Sequence, residues 1–216
     1  MQMKWWLAVG VVLAGSLAWA QGRGGMSARA AWMKVQEKLS PVQEYSVTMV
    51  MEAEGQAMTS KMFKAGKKVR MEVSMQGMQA ITLVDPEADG GKGASYMLMP
   101  MMKTYMKTPL PPEAAAKADD DKADVKIDEL GKEDVDGVSC VKRRVTVTVT
   151  TDGKAVTMTM WSSPKAKDMP VKVSMTEPAA MTILFKDYDF TKPAADLFTI
   201  PADYKANDFG GMMRQP

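Results

Sequence analysis

The chain has 216 residues, a formal net charge of +2 from 28 Lys and Arg against 26 Asp and Glu, no histidine, one cysteine and 23 methionines. Scattered and nearly balanced charge provides no basic footprint for nucleic acid. Without histidine, and with Cys140 alone, Ser-His-Asp and Cys-His catalysis, His-containing zinc sites and an intramolecular disulfide are all excluded.

The first 20 residues predict an export signal. Lys4 gives a short positive start, Trp5 to Ala18 an apolar run, and Ala18-Trp19-Ala20 an A-x-A cleavage site. The mature chain is expected to begin at Gln21 and to act in the periplasm. The apolar run is shorter than the roughly 18 residues a spanning helix needs, and no later stretch is long enough, so no membrane span is expected. Gln21, not Cys, stands directly after the cleavage site, so a lipid anchor is not expected either. About 196 residues remain, one domain's worth, expected over residues 21–209 with a tail over 210–216.

Ser27 is a candidate N-cap for a helix over Ala28 to Leu39, with Ala31, Val35 and Leu39 four apart and Pro41 as its stop. Strands are then expected at Tyr45 to Ala53, Ala57 to Lys64, Lys68 to Gln76 and Gln79 to Val84. Asp85 to Gly93 is a loop by composition. Two short strands follow at Tyr96 to Met99 and Lys103 to Lys107. After Pro109-Leu110-Pro111-Pro112, the Ala-, Asp- and Lys-rich stretch Glu113 to Lys126 reads as a short helix or loop excursion. Its Asp119-Asp120-Asp121 lacks the spacing and glycine of a calcium loop, so a solvated face is expected there. Alternation returns at Val141 to Thr150, Ala155 to Trp161, Val171 to Thr176 and Met181 to Asp187.

Nine or ten strands joined by short turns predict a mainly β fold with some α. Its large antiparallel sheet must curl over its own apolar face, with the first helix and the excursion to cover it. Methionine marks that face. Met49 and Met51, then Met71, Val73 and Met75, then Met97, Met99 and Met101 recur at the period of two of a pleated strand. Unbranched and polarizable, methionine reshapes itself around irregular apolar partners better than Leu or Ile. The candidate lining comprises Val47, Met49, Met51, Met71, Val73, Met75, Met158, Met160, Val173 and Met175. The same residues could instead form a closed core.

Three stretches carry a resemblance to the LolA/LolB superfamily of bacterial periplasmic proteins, and more closely to an exported family of that fold. They are Lys61-Met62-Phe63-Lys64-Ala65-Gly66-Lys67-Lys68-Val69-Arg70-Met71-Glu72; Tyr96-Met97-Leu98-Met99-Pro100 with Lys103-Thr104-Tyr105; and the tail. The tail runs through Trp161, Met169-Pro170-Val171-Lys172-Val173 and Leu197-Phe198-Thr199-Ile200-Pro201-Ala202-Asp203-Tyr204. The likeness runs from about Met33 to Lys205. It implies an unclosed, strongly curved sheet with a helical lid, whose concave apolar surface in the best-known members holds the acyl chains of lipoproteins bound for the outer membrane.

The expected function is therefore non-catalytic binding or carriage of lipid or acylated protein, by a monomer and without a cofactor. Copper handling is a second reading, because thioethers select Cu(I) and Met97-Leu98-Met99-Pro100-Met101-Met102, Met75-Gln76-Gly77-Met78 and Met212-Met213 are suitably spaced. An envelope sensor or interaction module is a third. For catalysis the remaining candidates are Glu52 and Glu72, on the polar phase of their strands among Lys and Thr. Thr146, Thr148, Thr150, Thr157 and Thr159 read as a wet sheet face, Cys140 as a small buried hydrophobe, and Trp161 and Tyr204 as packing residues.

Overall fold

The computed structural model describes residues 42–53, 56–75, 78–110, 123–149, 155–176 and 180–207. Among them, twelve strands form one curved sheet that does not close into a barrel. They are β1 (Glu44–Ala53), β2 (Gln56–Ala65), β3 (Lys68–Met75), β4 (Met78–Asp85), β5 (Ala94–Met99), β6 (Thr104–Pro109), β7 (Ala123–Val135), β8 (Val138–Val149), β9 (Ala155–Ser162), β10 (Pro170–Met175), β11 (Met181–Asp189) and β12 (Lys205–Ala206). Across the sheet the order is β12-β6-β5-β4-β3-β2-β1-β11-β10-β9-β8-β7. Two antiparallel meanders, β1 to β6 and β7 to β11, are thus joined through the β1–β11 pair. β12 alone pairs in parallel, against β6.

Local chemistry accounts for most of the hairpins. Asp136 and Gly137 between β7 and β8 both take positive φ, 48° and 77°, the backbone of a two-residue turn whose twist matches the strands it joins. Gly66, between β2 and β3, sits at φ 58° and donates its N–H to the carbonyl of Gln43 at 2.9 Å. That bond ties the hairpin end to the chain entering β1.

The ten expected strands all appear, and two strands were not anticipated. β7 occupies Ala123–Val135, so residues 123–126 of the expected excursion are extended rather than helical or looped. β12 is a two-residue strand beyond the last expected one. The alternation expected through Met97, Met99 and Met101 ends at Met99, because Pro100–Met102 forms a 3-10 turn that leaves Met101 76% exposed. Lys103 closes that turn in the left-handed region at φ 48°. The signal over residues 1–20, the helix Ala28 to Leu39, residues 113–122 with Asp119-Asp120-Asp121, and the tail 210–216 lie outside the described residues.

Hydrophobic packing divides between the two faces. One face carries a large cluster with Tyr45, Val47, Val145, Met160 and Phe185 at its centre, reaching from β1 through β11 and β10 to β7. On the opposite face, Val135, Cys140 and Trp161 form one small cluster. A second there joins Ile81, Leu83 and Leu98 to Ile200 and Tyr204 of the C-terminal segment. Arg70 fastens that segment: its Nη1 donates to the Leu197 carbonyl at 2.8 Å while its Nε meets Glu72 at 2.6 Å.

Candidate functional site

Directly paired residues of an antiparallel ladder present their side chains to the same face, so the register traces each face across the sheet. From β1 outward, Val47 pairs with Met62, Met62 with Met71, Met71 with Thr82, Thr82 with Met97, and Met97 with Met106. Met51 pairs with Met58, and Ser60 with both Met49 and Val73. In the other direction Met51 pairs with Ile183, Ile183 with Val173, Val173 with Met160, and Met175 with Met158. Met158 then meets Val145, and Val145 meets Ile127 on β7.

This one apolar face is in two states. Over β7 to β11 it is built around a packed core, with Val145 0%, Met160 1% and Val173 4% exposed and Ile127, Val156, Met181 and Ile183 half-buried against it. Over β2 to β6 most of its apolar side chains are half-buried, among them Met58, Met62, Met71, Val73, Met97 and Met106, and Met78 is exposed. Closed packing on one arm and half-burial on the other differ physically, since a packed methionine has protein atoms on all sides and a half-buried one still presents its thioether to a partner.

The expected lining therefore splits. Val47, Met158, Met160, Val173 and Met175 belong to the packed cluster, and Met49 borders it. Met51, Met71 and Val73 lie on the same face and are half-buried. Met75 pairs with Met78 at the tip of the β3–β4 hairpin, and its side chain lies outside the described ones. Sequence reasoning passed over Met58, Met62 and Met106, which the register puts on this face. Their signal was legible: Met58, Ser60 and Met62 alternate at period two in β2.

The other candidates fall elsewhere. Glu52 and Glu72 lie on β1 and β3 with β2 between them, and Glu72 is engaged by Arg70, so no carboxylate pair forms. Thr146 and Thr157 are paired across β8 and β9, their hydroxyls 3.5 Å apart on an exposed surface. Cys140 is 1% exposed, and burial pushes its thiol pKa up. Trp161 shares that cluster and is flanked by the ammonium groups of Lys142 and Lys172, 5.2 Å and 4.8 Å from its ring centroid. Both residues lie on the face opposite the methionines. Tyr204 packs there as well, in the cluster of Ile81, Leu83 and Leu98.

Two hydrogen bonds tie polar side chains at the packed arm. The Tyr188 hydroxyl donates to the Pro170 carbonyl at 2.7 Å, and Arg143 donates to the Ser162 hydroxyl. Lys64, on the half-buried arm, pairs with Tyr45 on one side and Val69 on the other, and burial lowers its pKa. Groups of three or more His, Cys, Asp or Glu placed to hold a metal are absent among the described residues. No described helix is long and apolar enough to cross a membrane.

Residues 44–170 match the family described as a domain of unknown function, DUF4412. No curated protein matches the chain. Among solved structures, an uncharacterized conserved protein from Thermus thermophilus is similar at 13% identity and a TM-score of 0.54, over 84% of this chain and 98% of that one. The Mycobacterium tuberculosis lipoprotein LppX is similar at 12% identity and a TM-score of 0.39, over 80% of this chain and 98% of its own. The Pseudomonas aeruginosa MucA/MucB complex is similar at 15% identity and a TM-score of 0.38, over 81% of this chain and 62% of that one. The Thermus likeness is one of fold.

Proposed function

The chain belongs to the DUF4412 family, and on that footing we propose that it is a non-catalytic periplasmic binder or carrier of lipid or acylated protein, which holds acyl chains against the methionine face of β2 to β6. The observation that carries this reading is the division of one continuous apolar face into a packed arm and a half-buried arm. Apolar surface left short of full burial gains free energy when an apolar partner covers it, at about 25 cal/mol per Å². The half-buried arm is built largely of methionine, the side chain best able to follow an acyl chain of variable shape. The resemblance to the LolA/LolB superfamily points the same way, and the separation of Glu52 from Glu72 gives no support to acid–base catalysis.

The test is fluorescence of the neutral apolar probe N-phenyl-1-naphthylamine titrated with the purified protein. A saturable rise in emission is expected, and Met71→Gln with Met97→Gln should weaken it several-fold, because each glutamine brings an amide that must be desolvated. Absence of any saturable signal from the folded protein would count against the reading, as would the double variant binding unchanged.

A further inference from the structure

Charge is segregated by face across β1 to β6. Glu44, Glu52, Lys61, Lys68, Arg70, Glu72, Asp85 and Lys107 all fall in the phase opposite the methionines, as the cross-strand register shows. There they find partners: Lys68 meets Asp85 at 2.8 Å, Arg70 meets Glu72 at 2.6 Å, Lys107 meets Asp89 at 2.6 Å, and the Lys61 ammonium sits 5.1 Å from the Phe63 ring centroid. Lys64 is the single charged residue in the methionine phase of these six strands. No carboxylate of β1 to β6 shares its face. A cation half-buried among apolar side chains, with no anion beside it among the described residues, is costly, and its depressed pKa is the expected symptom.

The position of Lys64 also matters. It stands at the β2 end of the face, two residues from Met62, beside Tyr45 and Val69. From Met62 the paired row continues through Met71, Thr82 and Met97 to Met106. Five strands at a spacing of about 4.8 Å make that row roughly 19 Å long, the length scale of a long acyl chain.

We propose that Lys64 binds the headgroup of an anionic amphiphile, a carboxylate or phosphate ester, whose acyl chain lies along the row from Met62 to Met106. The inference rests on the acyl-binding reading and adds the charge of the ligand and the end of the face where the headgroup sits. In the complex the ammonium gains the anion that β1 to β6 do not supply on that face.

The experiment uses the full chain at neutral pH and displaces N-phenyl-1-naphthylamine with dodecanoate, dodecyl phosphate and uncharged dodecanol. Lys64→Met should raise the dodecanoate concentration needed for half-displacement about ten-fold, the worth of one charge-assisted hydrogen bond, and leave dodecanol unchanged. Lys64→Arg should keep the preference for the anion. Of the two anions, the one more affected by Lys64→Met identifies the headgroup. Thermal melts of Lys64→Met check that the variant is folded, and its Tm should equal or exceed that of the parent. If Lys64→Met shifts all three ligands alike or none, the headgroup assignment is wrong while acyl binding stands. If the parent protein binds neither probe nor any of the three ligands, the acyl-binding reading fails and the assignment goes with it.

Discussion

Replacing Met160 and Met71 separately by alanine measures the difference between the two arms of the sheet. Met160 is 1% exposed, between Val173 and Arg143 on neighbouring strands. Truncation removes three heavy atoms from close packing, a transfer loss of about 2 kcal/mol, and the cavity left behind raises the cost to about 3 kcal/mol. Met71, between Met62 and Thr82, is half-buried. It loses about half the transfer term and leaves no enclosed void, so about 1 kcal/mol is expected. At roughly 2–4 °C per kcal/mol for a domain of this size, the melting temperature should fall by about 6–12 °C for Met160→Ala and about 2–4 °C for Met71→Ala. Circular dichroism melts of the two variants beside the parent protein read this directly. Probe affinity should move the other way, falling for Met71→Ala and holding for folded Met160→Ala. Equal destabilisation by the two truncations would refute the division into packed and half-buried arms.

Two further outcomes follow from single side chains. Tyr188 donates to the Pro170 carbonyl at 2.7 Å, and burial, with Tyr45 nearby, pushes its pKa far above the ordinary phenol value. Tyr188→Phe should cost about 1–2 kcal/mol near pH 7 in urea unfolding. The native hydroxyl keeps its proton where the unfolded one, with a pKa of about 10, releases it, so this residue's contribution is whole below pH 10 and declines above it. By pH 11 the parent protein should lose about 1.4 kcal/mol that the variant does not, and a gap that stays constant across this range would contradict the burial of the hydroxyl. Cys140, with its thiol 3.3 Å from the Val138 carbonyl and its pKa raised by burial, should react with Ellman's reagent only after denaturation. Rapid labelling of the folded protein would mean that the cluster around Trp161 is open.

Period-two alternation made the strands legible because each buries one face, and Gly66 and the Asp136-Gly137 turn marked where they reverse. β7 was hidden by its composition. Only Val125, Ile127 and Val135 show the alternation there, amid the charged residues that guard a sheet edge, and that mixture reads equally well as a polar helix. β12 escaped because a two-residue parallel pairing with β6 is settled by contacts far apart in sequence. Pro100 ended an alternation that the methionines alone would have carried to Met101. For the site, periodicity assigned Met71, Met160 and Met175 to one face correctly, but burial of that face depends on what the other arm of the sheet brings against it. Strand position and burial, not phase, separate Met160 in the core from Met71 on the half-buried arm. Lys64 stands two residues before the Gly66 turn, and its isolation is visible only in the register, where every other charge of β1 to β6 falls on the opposite face.

Native mass spectrometry of the protein isolated from the periplasm without detergent, followed by solvent extraction, tests acyl binding most directly. The expected spectrum carries added mass that resolves on extraction into acyl-containing, negatively charged species. A bare polypeptide mass that stays bare after incubation with dodecanoate and with anionic phospholipid would contradict it.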